Sequence, residues 1–430
     1  ELYHDGNSKK FETTATGIEV TGEVAASQDY PNFQPTIDFN FVSEKKLDSR
    51  ITYSRTGPAS FTDEFGKVVL VGDNAPRFDH DPTTRESKGL LIEQTRTNLY
   101  TYSSNLSSDV GWGNTRITVT VNTTTTPDKT NSASTLTVNS AGSYAYAYDD
   151  FTTNNGTSYA LSGWFKYINC QYVWLLGGEQ QDYFAYFDIQ NGTIGTTNGY
   201  ACTITAYPDG WYRCTATRTK SGSTGSEQIG FGLTRSNNNP TNNQVGDAVY
   251  AWGAQQEVGP FPTSYIPTNG STATRGSDLT IIGGEEFSEF YNPVESTILV
   301  NHTHLDGITS SNLGTERRVY RFRVNTGPDT RIDYVSNSNY NPYIAKDGSA
   351  VASISDGVAT VFGGGANKLA VRVKENSFAT CQNGTLGLED TNGAWNPTNA
   401  IDHVTLGCSA IGNLNDTVVD DSALCGHIQR

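Results

Sequence analysis

Short runs of alternating apolar and polar residues, each closed by Gly, Asn, Asp or Pro, recur along almost the whole chain. From Thr115 they run TRITVTVN, SASTLTV, SYAYAYDDF, SYALSGWFKY, YVWLLGG, YFAYFDIQ, WYRCTATRT, EQIGFGL and AVYAWGAQQEV. A period of two sends successive side chains to opposite faces of a strand, and turn residues at this spacing leave no room for long helices. No long stretch carries apolar residues at helical spacing. The expected fold class is all-β, with two tandem β-sandwiches after a short N-terminal fibrous β segment. Composition agrees: 43 of the 430 residues are Gly, and 23 Tyr and 18 Phe accompany them, the usage of a turn-rich β protein.

The pattern divides the chain. Residues 1–26 read LYH, KKFETT and IEVTGEV between polar turns, and Leu2, Phe11, Ile18, Val20 and Val24 are too few for a core. Strands this short need a partner, so this stretch is either the oligomerisation segment of a fibre, with a homotrimer expected, or a disordered leader. Residues 27–98 are expected as an irregular β connector with Pro, Asp and Gly at turn positions. Residues 99–268 make a first sandwich, jelly-roll-like by the spacing of its turns. Residues 279–430 restart with STILVNHTH, RRVYRFRVN and TRIDYVS, a second sandwich with a hairpin turn at Lys374, Glu375 and Asn376.

The first sandwich closes on AVYAWGAQQEV, where Val249, Ala251 and Gly253 are expected to face away from Tyr250, Trp252 and Ala254. Pro260, Pro262 and Pro267 follow. Each lacks the N–H that a ladder needs, so the chain leaves the sandwich in an extended path.

Bulk charge removes several function classes. The formal net charge is -16, whereas phosphate neutralisation needs clustered Lys and Arg. Neither nucleic acid nor an anionic membrane surface is an expected partner. No apolar run approaches the roughly 20 residues of a membrane span, so no membrane insertion is expected. The opening ELYHDGNSKK has no apolar signal-peptide region, and the absence of any Met fits an excerpt of a longer protein. The six cysteines include no C-x-x-C pair, which leaves buried free thiols as the expectation and gives no zinc or redox motif.

Catalytic chemistry is not legible. Glycan cleavage needs two carboxylates about 5 or 6.5–9.5 Å apart, and no E-x-D-x-x-E strand carries them. LEDTNGAW (Leu388 to Trp395) has a misplaced glycine for a sialidase-type turn. Gly363, Gly364 and Gly365 precede neither a helix nor a Lys, and no G-x-S-x-G occurs. No catalytic residue is named and no enzyme is expected. His302 and His304, with Asp306 following, have a spacing that can hold a metal, but further ligands are missing, and surface polar residues are the expected reading. Asp149 with Asp150, and Asp420 with Asp421, sit in expected loops. They are either ligands of a structural calcium or solvated acids.

Sugar binding is the chemistry with the clearest pattern. Sugar rings lay their C–H faces on flat aromatic rings while Asn, Asp and Gln fix hydroxyls. SYAYAYDDF puts Tyr144, Tyr146 and Tyr148 on one strand face, and YVWLL puts Tyr172 and Trp174 on one face. These five residues are the carbohydrate-binding candidates. The alternative is a sheet face covered by a loop or a neighbouring subunit.

Three stretches in order, DFNFVSEKKLDSRITYSRTGPASFTDEFG, PRFDHDPTTRESKGLLIEQTRTNLYTYSSNLSSDVGW and YAWGAQQEVGPFPTSYIPTNGSTATRGSD, resemble a family of tailed-bacteriophage and prophage virion proteins of tail-fibre or spike type. LYHDGNSKKFETTATGIEVTG is similar to repeats in marine cyanophage fibres. The resemblance implies a carbohydrate-binding-module-like jelly roll at 99–268 and a concanavalin/laminin-G-like sandwich after it. It implies a virion location and other virion proteins as partners but names no receptor; attachment to host cell-surface polysaccharide is the expectation that the aromatic stripe adds in that setting. A purely structural virion connector and a glycan depolymerase are the alternatives. It also makes Trp164, Trp211 and Trp252 core residues. Relatives often run on past GHI, which implies a final strand missing after Arg430.

Overall fold

The computed structural model describes residues 2–4, 8–14 and 17–20 as backbone, then 35–177, 184–305, 308–309, 317–324, 330–336, 341–346, 349–354, 365–387, 389–395, 400–407 and 424–430. The chain divides into two compact units, Glu1–Asp38 and Phe39–Arg430. In the first unit, strands Leu2–His4, Ser8–Thr14 and Gly17–Val20 pair antiparallel in chain order, with Phe11 opposite Leu2 on one side and Val20 on the other.

The second unit is all-β, and the one α-helix among the described residues is the single turn Glu285–Ser288. Its first sandwich has the strand order of a jelly roll. Ser134–Val138, Ala248–Val258, Ser158–Tyr167 and Trp211–Thr219 lie side by side in one sheet. Tyr146–Thr153, Gly225–Thr234, Tyr172–Gly177 and Phe184–Asp188 make the other. Successive strands of these eight alternate between sheets except for the hairpin of Tyr172–Gly177 with Phe184–Asp188, the double Greek key of that architecture. Alternation fills the space between them: Leu136, Leu161, Phe165 and Val249 from one sheet meet Val173, Leu175, Phe187 and Phe231 from the other, all buried. Each such side chain contributes about 1.5–3 kcal/mol relative to leaving it in water.

The closing strand departs from strict alternation. Gly253 takes a left-handed φ of 66°. Gly253 and Ala254 together oppose Gly163, because Trp252 pairs with Trp164 and Gln255 with Ser162. This bulge turns Ala254 inward beside Val249 and Ala251, correcting the expectation that it shares a face with Trp252. A Cβ on Gly253 would stand 2.6 Å from the Trp164 ring, so glycine is required for space as well as for φ. The proline exit is held by side chains. The Ile266 N–H donates to Gln255 Oε1 at 2.6 Å, and Asn98 Nδ2 donates to the carbonyls of Ala254 (3.0 Å) and Ile266 (2.9 Å).

The stretch expected as a connector holds strands that complete the second sandwich. Thr52–Ser54 pairs with Leu279–Gly283 at the edge of one seven-stranded sheet. Ser87–Ile92 pairs with both Phe78–His80 and Gly426–Ile428 in the other. Leu90, Leu91 and Ile92 are all buried, a continuous apolar run that a connector would not need. The Gly426–Ile428 strand lies between Glu295–His304 and Ser87–Ile92. The hairpin around Glu375 is present, with Asn376 at a left-handed φ of 55°.

Candidate functional site

The tyrosine stripe forms, and its residues meet on the outer face of their sheet. Pairing in register puts Tyr146 beside Gly232 and Gly232 beside Trp174. One strand over, Trp174 pairs with Tyr186 and Leu176 with Phe184. Opposite the rings the central strand gives this face Gly230 and Gly232, and large rings lie across them. Gly232 leaves room for the indole: a Cβ there would fall 1.9 Å from Trp174 Cζ2. Tyr146 packs on Trp174 at 5.5 Å and on Tyr148 at 5.0 Å between ring centroids, and Trp174 meets Phe184 at 4.3 Å.

Burial grades these residues. Trp174 is fully buried and its Nε1–H has no hydrogen-bond partner; Tyr146 is 8 % exposed. Tyr144, Tyr148 and Tyr172 are half-buried. Trp174 is therefore the floor of the face, in place of the exposed platform expected of it, and the reachable rings are tyrosines. Polar groups stand beside them. Gln228 Oε1 accepts from Tyr146 Oη at 2.7 Å, and Asp150 lies on the same face, where burial first and then the Tyr148 and Asp150 charges push the Tyr146 hydroxyl up. Burial and the nearby Asp188 carboxylate do the same for Tyr172.

Asp149 and Asp150 are placed in the strand Tyr146–Thr153, not in the expected loop. The pleat sends them to opposite faces: Asp150 joins the tyrosines, while on the core side burial first, and then the Asp149 charge, pushes the Tyr100 hydroxyl up. The Asp150 N–H donates to Asp149 Oδ1 at 2.8 Å. Burial holds the Asp149 carboxyl above its ordinary range, helped by the Asp150 charge. No group of three or more His, Cys, Asp or Glu stands together to hold a metal among the described residues. His302 and His304 share a strand face but are buried, correcting their expected surface position; burial lowers both imidazoles, His304 to about 4. Asp306, Asp420, Asp421, Gly363, Gly364 and Leu388 lie outside the described residues. Asp390 closes a local turn, accepting the Asn392 N–H at 3.0 Å. Cys170, Cys202, Cys214, Cys381 and Cys425 are free thiols. Trp164, Trp211 and Trp252 are buried, but in a separate cluster with Val68 and Tyr265 on the outer face of their sheet.

The motif residues that stood out most in the sequence do something else. Arg77 bridges Glu93 and Asp278, each at 2.6 Å, Arg275 reaches Glu93 at 3.1 Å and Arg55 reaches Asp278 at 3.4 Å. All five side chains are fully buried. Ser264, from the proline exit, donates to Glu93 through its N–H (2.7 Å) and its Oγ (2.6 Å). Tyr53 Oη donates to Asp278. Burial raises the Glu93 carboxyl, but the Arg275 and Arg77 charges and the Ser264 bonds outweigh it and hold Glu93 below the ordinary glutamate range. This network joins the exit of the first sandwich to strands of the second. Sequence reasoning missed it because its members are spread from Arg55 to Asp278; the signal available was a run of Arg, Glu and Asp inside apolar words.

No protein-family model and no curated protein sequence matches the chain. Among solved structures, domains LG4-5 of the mouse laminin alpha1 chain are similar at TM-score 0.24 and 8% identity, covering 68% of this chain and 90% of that one. A conserved carbohydrate esterase from the Shiga toxin-encoding bacteriophage phi24B is similar at TM-score 0.14 and 11% identity, covering 72% and 88%. These scores are too low for either likeness to carry an argument about this chain.

Proposed function

We propose that the chain is an attachment component of a tailed-phage virion, binding host-surface glycan on the tyrosine face of its first sandwich. The observation that carries this reading is the geometry of that face. Half-buried Tyr144, Tyr148 and Tyr172 surround a buried indole whose N–H has no partner, with Asp150 and Gln228 beside them. Rings of this kind stack on sugar C–H faces, and the polar neighbours select hydroxyl positions. The motif resemblance supports the virion setting.

Glycan-array retention and binding to intact host cells test the site. Tyr148→Ala and Tyr172→Ala each remove one stacking ring, worth about 0.5–1.5 kcal/mol, so each is expected to weaken retention by roughly 2- to 12-fold. Unchanged retention in both variants, with folding intact, overturns the assignment of this face.

A further inference from the structure

A cavity of about 440 Å³ lies between the first sandwich and the strands Phe78–His80 and Ser87–Ile92 of the second. Its volume falls within the range of small-ligand pockets, roughly 300–1,000 Å³. One wall is the outer face of the sheet that carries Trp164. There Thr203, Thr205 and Tyr207 on one strand stand beside Arg213 and Thr215 on the next, since Thr205 pairs with Arg213 and Thr203 with Thr215. The Arg213 guanidinium sits 4.7 Å from the Trp164 ring centroid.

Two features separate this cavity from a packing gap. Buried polar atoms in its lining lack partners: Trp164 Nε1, in a side chain 1 % exposed, and His80 Nε2, in one 4 % exposed, make no hydrogen bond, and neither do Ser87 Oγ and Arg213 Nε. Native interiors rarely leave such atoms unsatisfied without water or a ligand nearby. The carboxylates of Asp79 and Asp81 in the lining are, in contrast, already engaged. Asp79 accepts from the Thr62 N–H at 2.7 Å and bonds His427 Nε2 at 3.0 Å. Asp81 faces Lys88 at 3.6 Å, and Arg213 donates to the Thr263 carbonyl at 2.6 Å. Thr203 and Thr215 share one hydrogen bond at 2.6 Å and Tyr207 Oη lies 3.5 Å from Thr62 Oγ1, which leaves an occupant their remaining hydroxyl capacity, the Thr205 hydroxyl and the indole N–H. That set recognises a polyhydroxylated molecule through hydrogen bonds and an aromatic edge.

We propose that this cavity is a second binding site, separate from the tyrosine face, for a mono- or disaccharide. The wall of Thr203, Thr205 and Thr215 exchanges hydrogen bonds with sugar hydroxyls, and the aromatic pair Trp164 and Tyr207, 5.8 Å apart and edge to face, lends the apolar side. Such a site reads a single sugar unit, whether free or at a chain end, where the open tyrosine face reads a stretch of polymer.

Saturation-transfer NMR with glucose, galactose, mannose, N-acetylglucosamine and maltose tests this on the whole chain, with a polysaccharide arm from host cells to separate free sugar from chain ends. Thr205→Trp fills the cavity, and Thr84→Trp, on an exposed turn at its rim, blocks the mouth without entering the core. At least one sugar is expected to bind, with a tenfold or greater loss in both variants and less than a twofold change in Arg372→Gln, whose half-exposed side chain pairs with Glu389 and does not line the cavity. Absence of binding by every sugar, or binding that survives Thr84→Trp, overturns the cavity site. Binding lost only in Tyr148→Ala assigns the signal to the tyrosine face and also overturns it. Failure of the tyrosine face instead shows as unchanged cell retention in Tyr148→Ala, a separate readout.

Discussion

Glu93→Gln keeps the shape of the side chain and removes its charge from the joint between the sandwiches. In the folded protein that carboxylate accepts from Arg77 at 2.6 Å and twice from Ser264 and forms an ion pair with Arg275 at 3.1 Å, with no exposure to water. Without it, Asp278 is left to serve the Arg77 and Arg55 guanidiniums, and Arg275 loses its direct carboxylate. Breaking a buried pair in this way costs about 3–5 kcal/mol, because the remaining charge stays desolvated. At roughly 2–4 °C per kcal/mol for sandwiches of this size, calorimetry should show the transition falling by about 6–20 °C. The gap should also close in acid. The folded pKa of Glu93 is depressed, so its contribution is fully present above the unfolded value of about 4.3 and is lost as pH falls through the folded pKa. Wild type therefore loses stability below pH ~4.3 more steeply than Glu93→Gln. Arg372→Gln, which breaks the half-exposed pair with Glu389, is the control expected to leave the transition in place. A Glu93→Gln midpoint matching that control, at any pH above 5, refutes the claim that the network carries stability.

Gly232→Ala places a Cβ 1.9 Å from the Trp174 ring. The indole must shift, at about 1–3 kcal/mol of overpacking, and urea unfolding followed by tryptophan fluorescence should show both a lower midpoint and an altered native spectrum; an unchanged spectrum refutes the flat packing described for Trp174. Burial pushes the Cys170 and Cys202 thiols up to about 12 and Cys214 and Cys425 upward as well. At pH 8 the buried Cys170, Cys214 and Cys425 should resist a disulfide reagent in the folded protein and react on addition of urea, and fast native labelling of any of these three, located by peptide mapping, refutes their assignment as buried thiols.

The all-β class and most strands of the first sandwich were legible because each obeys a local rule: period two, closed by a turn residue. What failed locally was what depends on a distant partner. Leu90, Leu91 and Ile92 sit in a segment crowded with Asp, Pro and Arg, and only pairing with Gly426–Ile428 makes them a buried strand. The face of Ala254 was misplaced because a bulge at one glycine reverses every later side chain of that strand. The stripe of Tyr144, Tyr146 and Tyr148 was found by alternation alone. Yet alternation gives a side, not a depth. Trp174 and Tyr172 share a face of one strand, and Trp174 becomes the floor because its partner on the adjacent strand, Gly232, far off in the sequence, leaves room for the indole.

The distribution of chemistry over the chain has a consequence for how such a protein changes. Arg77, Glu93, Ser264, Arg275 and Asp278 lie in the words that carry the family resemblance, and every one of them is spent on the joint. Each depends on the others, since a lone charge left in that site is destabilising, so these positions can change only together. Tyr148, Tyr172 and Asp150, by contrast, are partly solvated and touch the joint nowhere; substitution there leaves the packing of the two sandwiches intact. A resemblance carried by the joint therefore reports how two sandwiches are fastened and is silent on any ligand, while the residues of the proposed glycan face are free to vary on the same fastened frame.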